Sequence, residues 1–574
     1  MKEFILKYKS DIYCILGLLA VFLVCSIVSW GTFGALYYDC GRELILPQWI
    51  LEGKLIFKDI FGMYLPLPYY FNAVFVKIFG SSITLFQILG VINTIVIIIA
   101  IYSIMRNFTS KYFSFAMSLF IIFFYILRST TCINYIFPYA YPMIYALSAM
   151  LISLLFGLKY IETDKNLYIN LAFLMLGISV ANKPEFLFCI IPLILVTVLS
   201  RNNSLKLCVL NTILFMLPTV LSFGILILQG FNVDDFKNYY AFLQKFFNTD
   251  EQKYYTAHFV KLPITKTCIL AIVKSFLTCV ATIILSVMTF KFIALKKFRL
   301  FGIFLLPCLI LLLLYLNKVL TVGIYEPLNW LGIATSIITV ISFISKNKKL
   351  SFLSLFALLS CVRINFMPIL QNGYCLYLIL LPLITTWVFI IQKYNSIICE
   401  KLNIKHQLVI SLVLISFMVF VFNVSLKNVH YIPVNTNNKG ILKAPRELTV
   451  PFNNVIEWIS INTKETDRVA VLPEGPMINY ITNRPALQKY YHLIPNHISA
   501  LGEDLVVENL SKEMPEYFII NNTEYSTYNK PHICEDFGFE ICKFVEKNYS
   551  LQVVYTAYSP KGKPHTSKIY KLNN

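Results

Sequence analysis

Fourteen apolar runs of 15 to 27 residues, parted by short gaps, leave the first 425 residues few ways to fold. They lie at 12–30, 66–80, 83–105, 112–128, 138–158, 167–182, 185–200, 206–230, 267–293, 299–317, 327–345, 350–370, 373–392 and 407–425. A helix of about 20 apolar residues spans the ~30 Å hydrocarbon core of a bilayer. Backbone polar groups placed there need partners within their own segment, and a helix provides them. The chain is 57% hydrophobic and 14% charged, with mean hydropathy +0.67. A soluble chain carries about 25% charged residues. These figures exclude an ordinary soluble enzyme, a disordered chain and a nucleic-acid-binding domain, and predict a polytopic α-helical membrane protein.

The charge is unevenly placed. From Tyr431 to Asn574 there are 15 basic and 15 acidic residues, so the whole net charge of +19 lies in the first 430 residues. There the basic residues fall in the gaps between apolar runs, as expected of loops that stay on the cytoplasmic side. Lys291/Lys296/Lys297/Arg299, Lys346/Lys348/Lys349 and Lys393/Lys401/Lys405 form three such gaps, two runs apart. Lys2, Lys7 and Lys9 precede the first run, and no small-residue cleavage site follows it. It reads as a first transmembrane helix with a cytoplasmic N-terminus. The alternation is consistent only if one run does not cross. The run 66–80 is the shortest and opens on Pro66 and Pro68, so about 13 crossings are expected. This topology places the loop 31–65, the loop 231–266 and the segment 428–574 together outside the cytoplasm.

Two domains follow: a transmembrane part, 1–427, and an extracytoplasmic α/β domain, 428–574. In the latter, Phe452–Asn462 has helical periodicity, with Trp458 on its apolar face, and Phe537–Asn548 reads as helical. Arg468–Leu472, Tyr517–Ile520, Leu551–Tyr555 and Lys568–Leu572 read as strands, and their alternation with helices suggests a partly parallel sheet. Most of the 14 cysteines sit in apolar runs as small hydrophobes. Cys534 and Cys542 fit a disulfide or two free thiols equally well.

The first loop concentrates the chemistry: Asp39, Gly41, Arg42 and Glu43, then Glu52-Gly53, Lys58-Asp59 and Pro66-Leu67-Pro68. Acidic groups beside a bilayer are costly to desolvate, and a cluster of them points to function. The alternative is that Asp39 and Glu43 only cap an interfacial helix. Lys183 and Glu185 flank Pro184 in a short turn, as a functional pair or a plain surface one. Arg363 lies inside an apolar run, where it needs a partner or snorkels. His258 reads as a solvated loop residue. The aromatic pairs of the second loop (Tyr239-Tyr240, Phe246-Phe247, Tyr254-Tyr255) suit headgroup depth or stacking on a sugar.

The stretch from Tyr38 to Gly80 resembles the first loop of GT-C type glycosyltransferases, which take sugars from polyprenyl phosphates. These include protein O-mannosyltransferases and the lipid A aminoarabinose transferase. The shared pattern is Asp39, Gly41, Glu52-Gly53, Asp59, Pro66/Pro68 and Phe79-Gly80, with Phe57 where the family usually has Tyr. Asn182-Lys183-Pro184-Glu185 and Leu472–Pro485, followed by Tyr490-Tyr491, resemble the bacterial family 39-like branch.

The resemblance implies inverting transfer of a sugar from a polyprenyl phosphate to an acceptor hydroxyl, on the outer face of a bacterial cytoplasmic (inner) membrane. Asp39 would be the general base, since a hydroxyl needs a carboxylate at hydrogen-bond distance. Asp59 would orient the acceptor or share a divalent cation with Asp39. Some relatives need a metal and others do not. Arg42, Lys58, Lys183 and Arg363 are the candidate phosphate partners, with Glu43 and Glu185 beside them. Sugar, carrier lipid and acceptor (glycan, lipid or protein) stay open. The sequence has no GxxxxGK[ST], HExxH or GxSxG, and no GxGxxG after a strand. The rival readings are a transporter or flippase of lipid-linked saccharide, disfavoured by the absence of repeats, and a catalytically silent scaffold, disfavoured by the presence of both Asp39 and Asp59.

Overall fold

The computed structural model describes residues 2–32, 34, 36–37, 39–123, 134–200, 204–260, 269, 273, 331–362, 375–398, 431–487, 489–558, 562 and 564–573. Nearly all of the run 267–293, the runs 299–317 and 407–425, and Arg363 lie outside them.

Most apolar runs in the described residues form helices near their expected places. Chain order gives α1 (Lys2–Val28), α2 (Cys40–Leu51), α3 (Pro66–Phe79), α4 (Ile83–Arg106), α5 (Lys111–Ile121), α6 (Tyr141–Thr163), α7 (Asn166–Asn182), α8 (Ile190–Val198) and α9 (Leu205–Leu228). After the second loop come α10 (Val233–Asn248), α11 (Asp250–Tyr255), α12 (Leu331–Ile344), α13 (Lys348–Ser360) and α14 (Leu380–Ile398). Among the described residues, four stretches are long and apolar enough to cross a bilayer: Lys9–Val28, Ile83–Arg106, Tyr141–Thr163 and Leu205–Leu228. The chain is a multi-pass membrane protein. α3, on the run expected not to cross, holds 14 residues, about 21 Å at 1.5 Å per residue.

One run differs from expectation. Residues 185–200 do not form one helix: Pro184–Cys189 is a 3-10 turn, and α8 starts at Ile190. Pro192 accounts for this, because its ring would meet the Phe188 carbonyl in a continuous α-helix.

The C-terminal segment contains two sheets. Tyr431–Pro433 (β1) and Lys443–Pro445 (β2) form an antiparallel pair. Val469–Leu472 (β3), Tyr517–Asn521 (β4), Tyr549–Tyr558 (β5) and Pro564–Leu572 (β6) form a sheet of order β3-β4-β6-β5. Only the β3/β4 pair is parallel, so the sheet is partly parallel as the sequence suggested. Side chains alternate across it. Val469, Val471, Tyr517 and Ile519 join an apolar core shared with α15 (Arg446–Asn462) and the membrane helices. Ala470, Leu472, Phe518 and Ile520 join a separate core with α18 (Glu503–Glu513) and α19 (Phe539–Asn548). α16 (Pro476–Thr482) and α17 (Pro495–Leu501) lie between. Cys534 and Cys542 are joined as a disulfide.

The segment is keyed into the membrane part. The Lys443 N–H donates to the Gly31 carbonyl (2.6 Å), the Ile83 N–H to the Lys439 carbonyl (2.8 Å), and Gln87 Nε2 to the Ile441 carbonyl (3.1 Å). Lys439 Nζ meets the Tyr480 carbonyl at the end of α16, and burial pushes its pKa down to about 8. The closest approach is at Gly41, where a Cβ would sit 2.3 Å from the Met477 backbone nitrogen. Gly41→Ala is therefore expected to force α2 and α16 apart and to cost about 1–3 kcal/mol. Thermal unfolding of the purified chain reads this, and an unchanged Tm would contradict the close contact.

Candidate active site

α2 is buried on almost every side, with only Gln48 and Leu51 reaching solvent contact to any extent. A helix apolar all round belongs inside a protein, so the charges on its first turn must be partnered. Asp39 occupies the position before the helix but makes no capping hydrogen bond. Its carboxylate instead accepts from Arg42 Nη1 at 2.7 Å. The capping alternative therefore fails for Asp39. Arg42 Nη2 lies 3.4 Å from Glu43, and Nη1 also meets the Met63 sulfur at 2.8 Å. The three charges differ in access: the Asp39 side chain is 30% exposed, against 2% for Arg42 and 1% for Glu43.

Glu43 lies beside a second helix, α6, whose first residue, Tyr141, favours its charged form through the backbone. Helix N-termini favour negative charge. Burial nevertheless pushes the Glu43 carboxyl up to about 7, against the pull of Arg42 and of the Tyr141 backbone. A carboxyl raised from about 4.5 stabilises the fold fully below pH 4.5, and this contribution is lost as pH rises through 7. Glu43→Gln is thus expected to gain on the wild type by on the order of 3 kcal/mol between pH 4.5 and pH 8. Unfolding at the two pH values checks this, and parallel pH profiles would contradict it.

Tyr64 joins the first loop to the Lys183 turn. Its ring carries Lys183 Nζ at 4.6 Å and Arg42 Cζ at 5.6 Å from the centroid. Lys183 stands 3.9 Å from Glu185, both 13% exposed. Arg42 and Lys183, singled out 141 residues apart in the sequence, thus meet at one ring, each with its carboxylates beside it: Asp39 and Glu43 on Arg42, Glu185 on Lys183.

Lys58 and Asp59 are used differently. Asp59 Oδ2 accepts the Leu55 N–H (2.9 Å) and closes the Leu55–Ile60 turn, while Lys58 pairs with Asp235 of α10 (3.0 Å). Phe57 takes a left-handed backbone (φ 71°) and packs on Tyr239. Asp39 and Asp59 are the carboxylates that would share a divalent cation. Each has one oxygen engaged, Asp39 by Arg42 and Asp59 by the Leu55 N–H. Among the described residues no group of three His, Cys, Asp or Glu side chains is placed around one metal.

The second loop and the C-terminal segment close over the first loop. His497 meets Phe61 of the first loop (4.3 Å between ring centroids) and Phe246 of α10 (5.0 Å). Burial holds its imidazole neutral, well below its usual pKa, and His492 adds to this. Glu474 accepts from Tyr525 (2.8 Å) and lies 3.2 Å from His492 Nε2. Asn496 donates to Gln252 of α11 (2.8 Å). Sequence reasoning missed Tyr64, Glu474, His492 and His497 as site residues. Two histidines five apart among apolar residues were the available signal. His258 is exposed and stacks on Tyr254, as a loop residue would.

No family model matches the sequence, and no curated protein matches it. Solved structures do. ArnT from Cupriavidus metallidurans, bound to undecaprenyl phosphate, aligns over 96% of this chain and 97% of its own, at 11% identity and TM-score 0.52. The Archaeoglobus fulgidus oligosaccharyltransferase, in complex with Zn and sulfate, aligns over 96% of this chain and 72% of its own, at 12% identity and TM-score 0.50. The likeness establishes the fold, that of GT-C type membrane glycosyltransferases, as the first loop suggested.

Proposed function

We propose that this chain transfers a sugar from a polyprenyl-phosphate carrier to an acceptor hydroxyl, with inversion at the anomeric carbon, on the outer face of a bacterial cytoplasmic membrane. The observation that carries the reading is the convergence of Asp39, Arg42 and Lys183 around Tyr64. The undecaprenyl phosphate bound by ArnT on the same fold supports the carrier class.

Residues 1–427 carry the chemistry in this reading, and 428–574 closes the site and helps present the acceptor. Asp39, the accessible carboxylate of the cluster, takes the acceptor proton as the hydroxyl oxygen bonds to the anomeric carbon. The bond from that carbon to the phosphate oxygen breaks, and the phosphate leaves with the electron pair. Lys183 meets the developing charge, where positioned cations act most strongly. Arg42, buried beneath Tyr64, orients Asp39 and adds its charge through a medium of low dielectric. Glu185 holds Lys183. Asp59 sets the turn that leads to Phe61–Tyr64, and Lys58 ties that turn to the second loop.

The test uses the purified chain in nanodiscs with a panel of polyprenyl-phosphate sugars and candidate acceptors. Release of free polyprenyl phosphate, with a product of inverted anomeric configuration, is expected. A chain that moves the lipid-linked sugar across the bilayer without releasing its phosphate would be a flippase, and the proposal would fall.

A further inference from the structure

The segment Phe61–Tyr64 has no regular secondary structure, so its backbone groups need partners from elsewhere. Three tyrosine hydroxyls supply them. Tyr491 donates to the Phe61 carbonyl (2.7 Å), and Tyr239 donates to the Gly62 carbonyl (2.7 Å). Tyr69 accepts from the Met63 and Tyr64 N–H groups, at 3.1 and 3.2 Å. Four consecutive residues are thus held by one local phenol of α3, one from α10 and one from the C-terminal segment. The last two lie 177 and 430 residues from the groups they bind. The residues so held are those that cover the site: Met63 touches Arg42, and the Tyr64 ring lies against both Arg42 and Lys183.

Each distant phenol is itself braced. The Tyr491 ring meets Trp49 of α2 edge-on at 5.5 Å and is 4% exposed. The next residue, His492, is fixed by Glu474, which is fixed in turn by Tyr525. The Tyr239 ring tilts against Phe57 at 4.5 Å, beside the Lys58–Asp235 ion pair.

We propose that Tyr491 and Tyr239 are positioning residues for the lipid-phosphate site, acting through the Phe61–Tyr64 backbone to hold the Tyr64 ring against Lys183. The C-terminal segment and the second loop then form part of the site's geometry, beyond any contact with an acceptor. The inference rests on the reading of the site as a polyprenyl-phosphate site.

Tyr491→Phe and Tyr239→Phe remove one hydroxyl each and keep the rings that pack on Trp49 and Phe57, leaving a backbone carbonyl without its partner. The test uses full-length protein in nanodiscs and three readouts: Tm, amide hydrogen exchange over residues 57–70, and binding of undecaprenyl phosphate. Each variant is expected to lose only a few degrees of Tm and to keep its exchange elsewhere. The amides of Met63 and Tyr64 should exchange about tenfold faster, and the Kd for undecaprenyl phosphate should rise about three- to tenfold. A merely structural role would not shift Kd while exchange elsewhere stays at the wild-type rate. An unchanged Kd in either variant overturns the role of that residue, and unchanged exchange in both overturns the cradle itself. Faster exchange with a wild type that does not bind undecaprenyl phosphate would sink the lipid-phosphate reading and this inference with it, leaving the cradle as a structural brace.

Discussion

Asp39→Asn is expected to lower sugar transfer by about 10²- to 10⁴-fold, the contribution of a positioned general base, with normal membrane insertion. Two carboxylates compete for this role on α2. Glu43 is buried, is held by Arg42, and has its pKa pushed up to about 7. Asp39 keeps 30% of its side chain in contact with solvent while Arg42 fixes one of its oxygens. Asparagine preserves the shape and an oxygen for Arg42 but does not take up a proton. The binding of undecaprenyl phosphate should therefore change by no more than a few fold while turnover collapses, because a base acts in the transition state rather than in binding. Asp59→Asn should cost far less turnover, since its carboxylate closes a turn. Transfer assays of the three proteins at matched expression decide this. Equal transfer by wild type and Asp39→Asn would remove Asp39 from the mechanism.

The second large effect is on stability. Arg42 is buried and stands between Asp39 and Glu43. Removing one partner of a buried ion pair costs about 3–5 kcal/mol, because the remaining charge keeps its desolvation penalty. Arg42→Met conserves much of the side chain's volume and isolates that electrostatic loss. The loss should be largest at pH 8. With the guanidinium gone the Glu43 carboxyl titrates higher still, so at pH 5 it is neutral and the penalty shrinks. Adding Glu43→Gln to Arg42→Met should recover part of the stability at pH 8 and little at pH 5, a coupling expected of residues in direct contact. Unfolding of the single and double variants at both pH values provides the check. A double variant no more stable than Arg42→Met at pH 8 would show that the buried Glu43 charge is not the cause.

Local patterns in the sequence carried most of the fold that positions this site. Lengths of apolar runs located the helices, and short continuous apolar runs located β3 and β4 within a residue of their ends. β5 and β6 extend well beyond the stretches read from sequence, Leu551–Tyr555 and Lys568–Leu572, because their outer residues pair with each other and carry polar side chains. The motifs around Asp39 and Lys183 marked residues that do meet, although nothing in either stretch names Tyr64 as the ring between them. Partners distant in the chain were not legible. Periodicity reports which face of an element is buried and not what covers it. The bonds from Tyr239 and Tyr491 to the first loop, and the packing of His497 against Phe61 and Phe246, arise only when three separate stretches fold together. Gly41 shows the same limit. The sequence marks it as part of a motif, while its reason is the Met477 backbone pressed against it.

The most direct test of the account is a structure of the full-length protein in nanodiscs with undecaprenyl phosphate bound. The account predicts the phosphate within about 3 Å of Lys183 Nζ, above the Tyr64 ring, with the Asp39 carboxylate facing the bound headgroup. A phosphate bound away from Lys183, with Asp39 turned away from it, would contradict it.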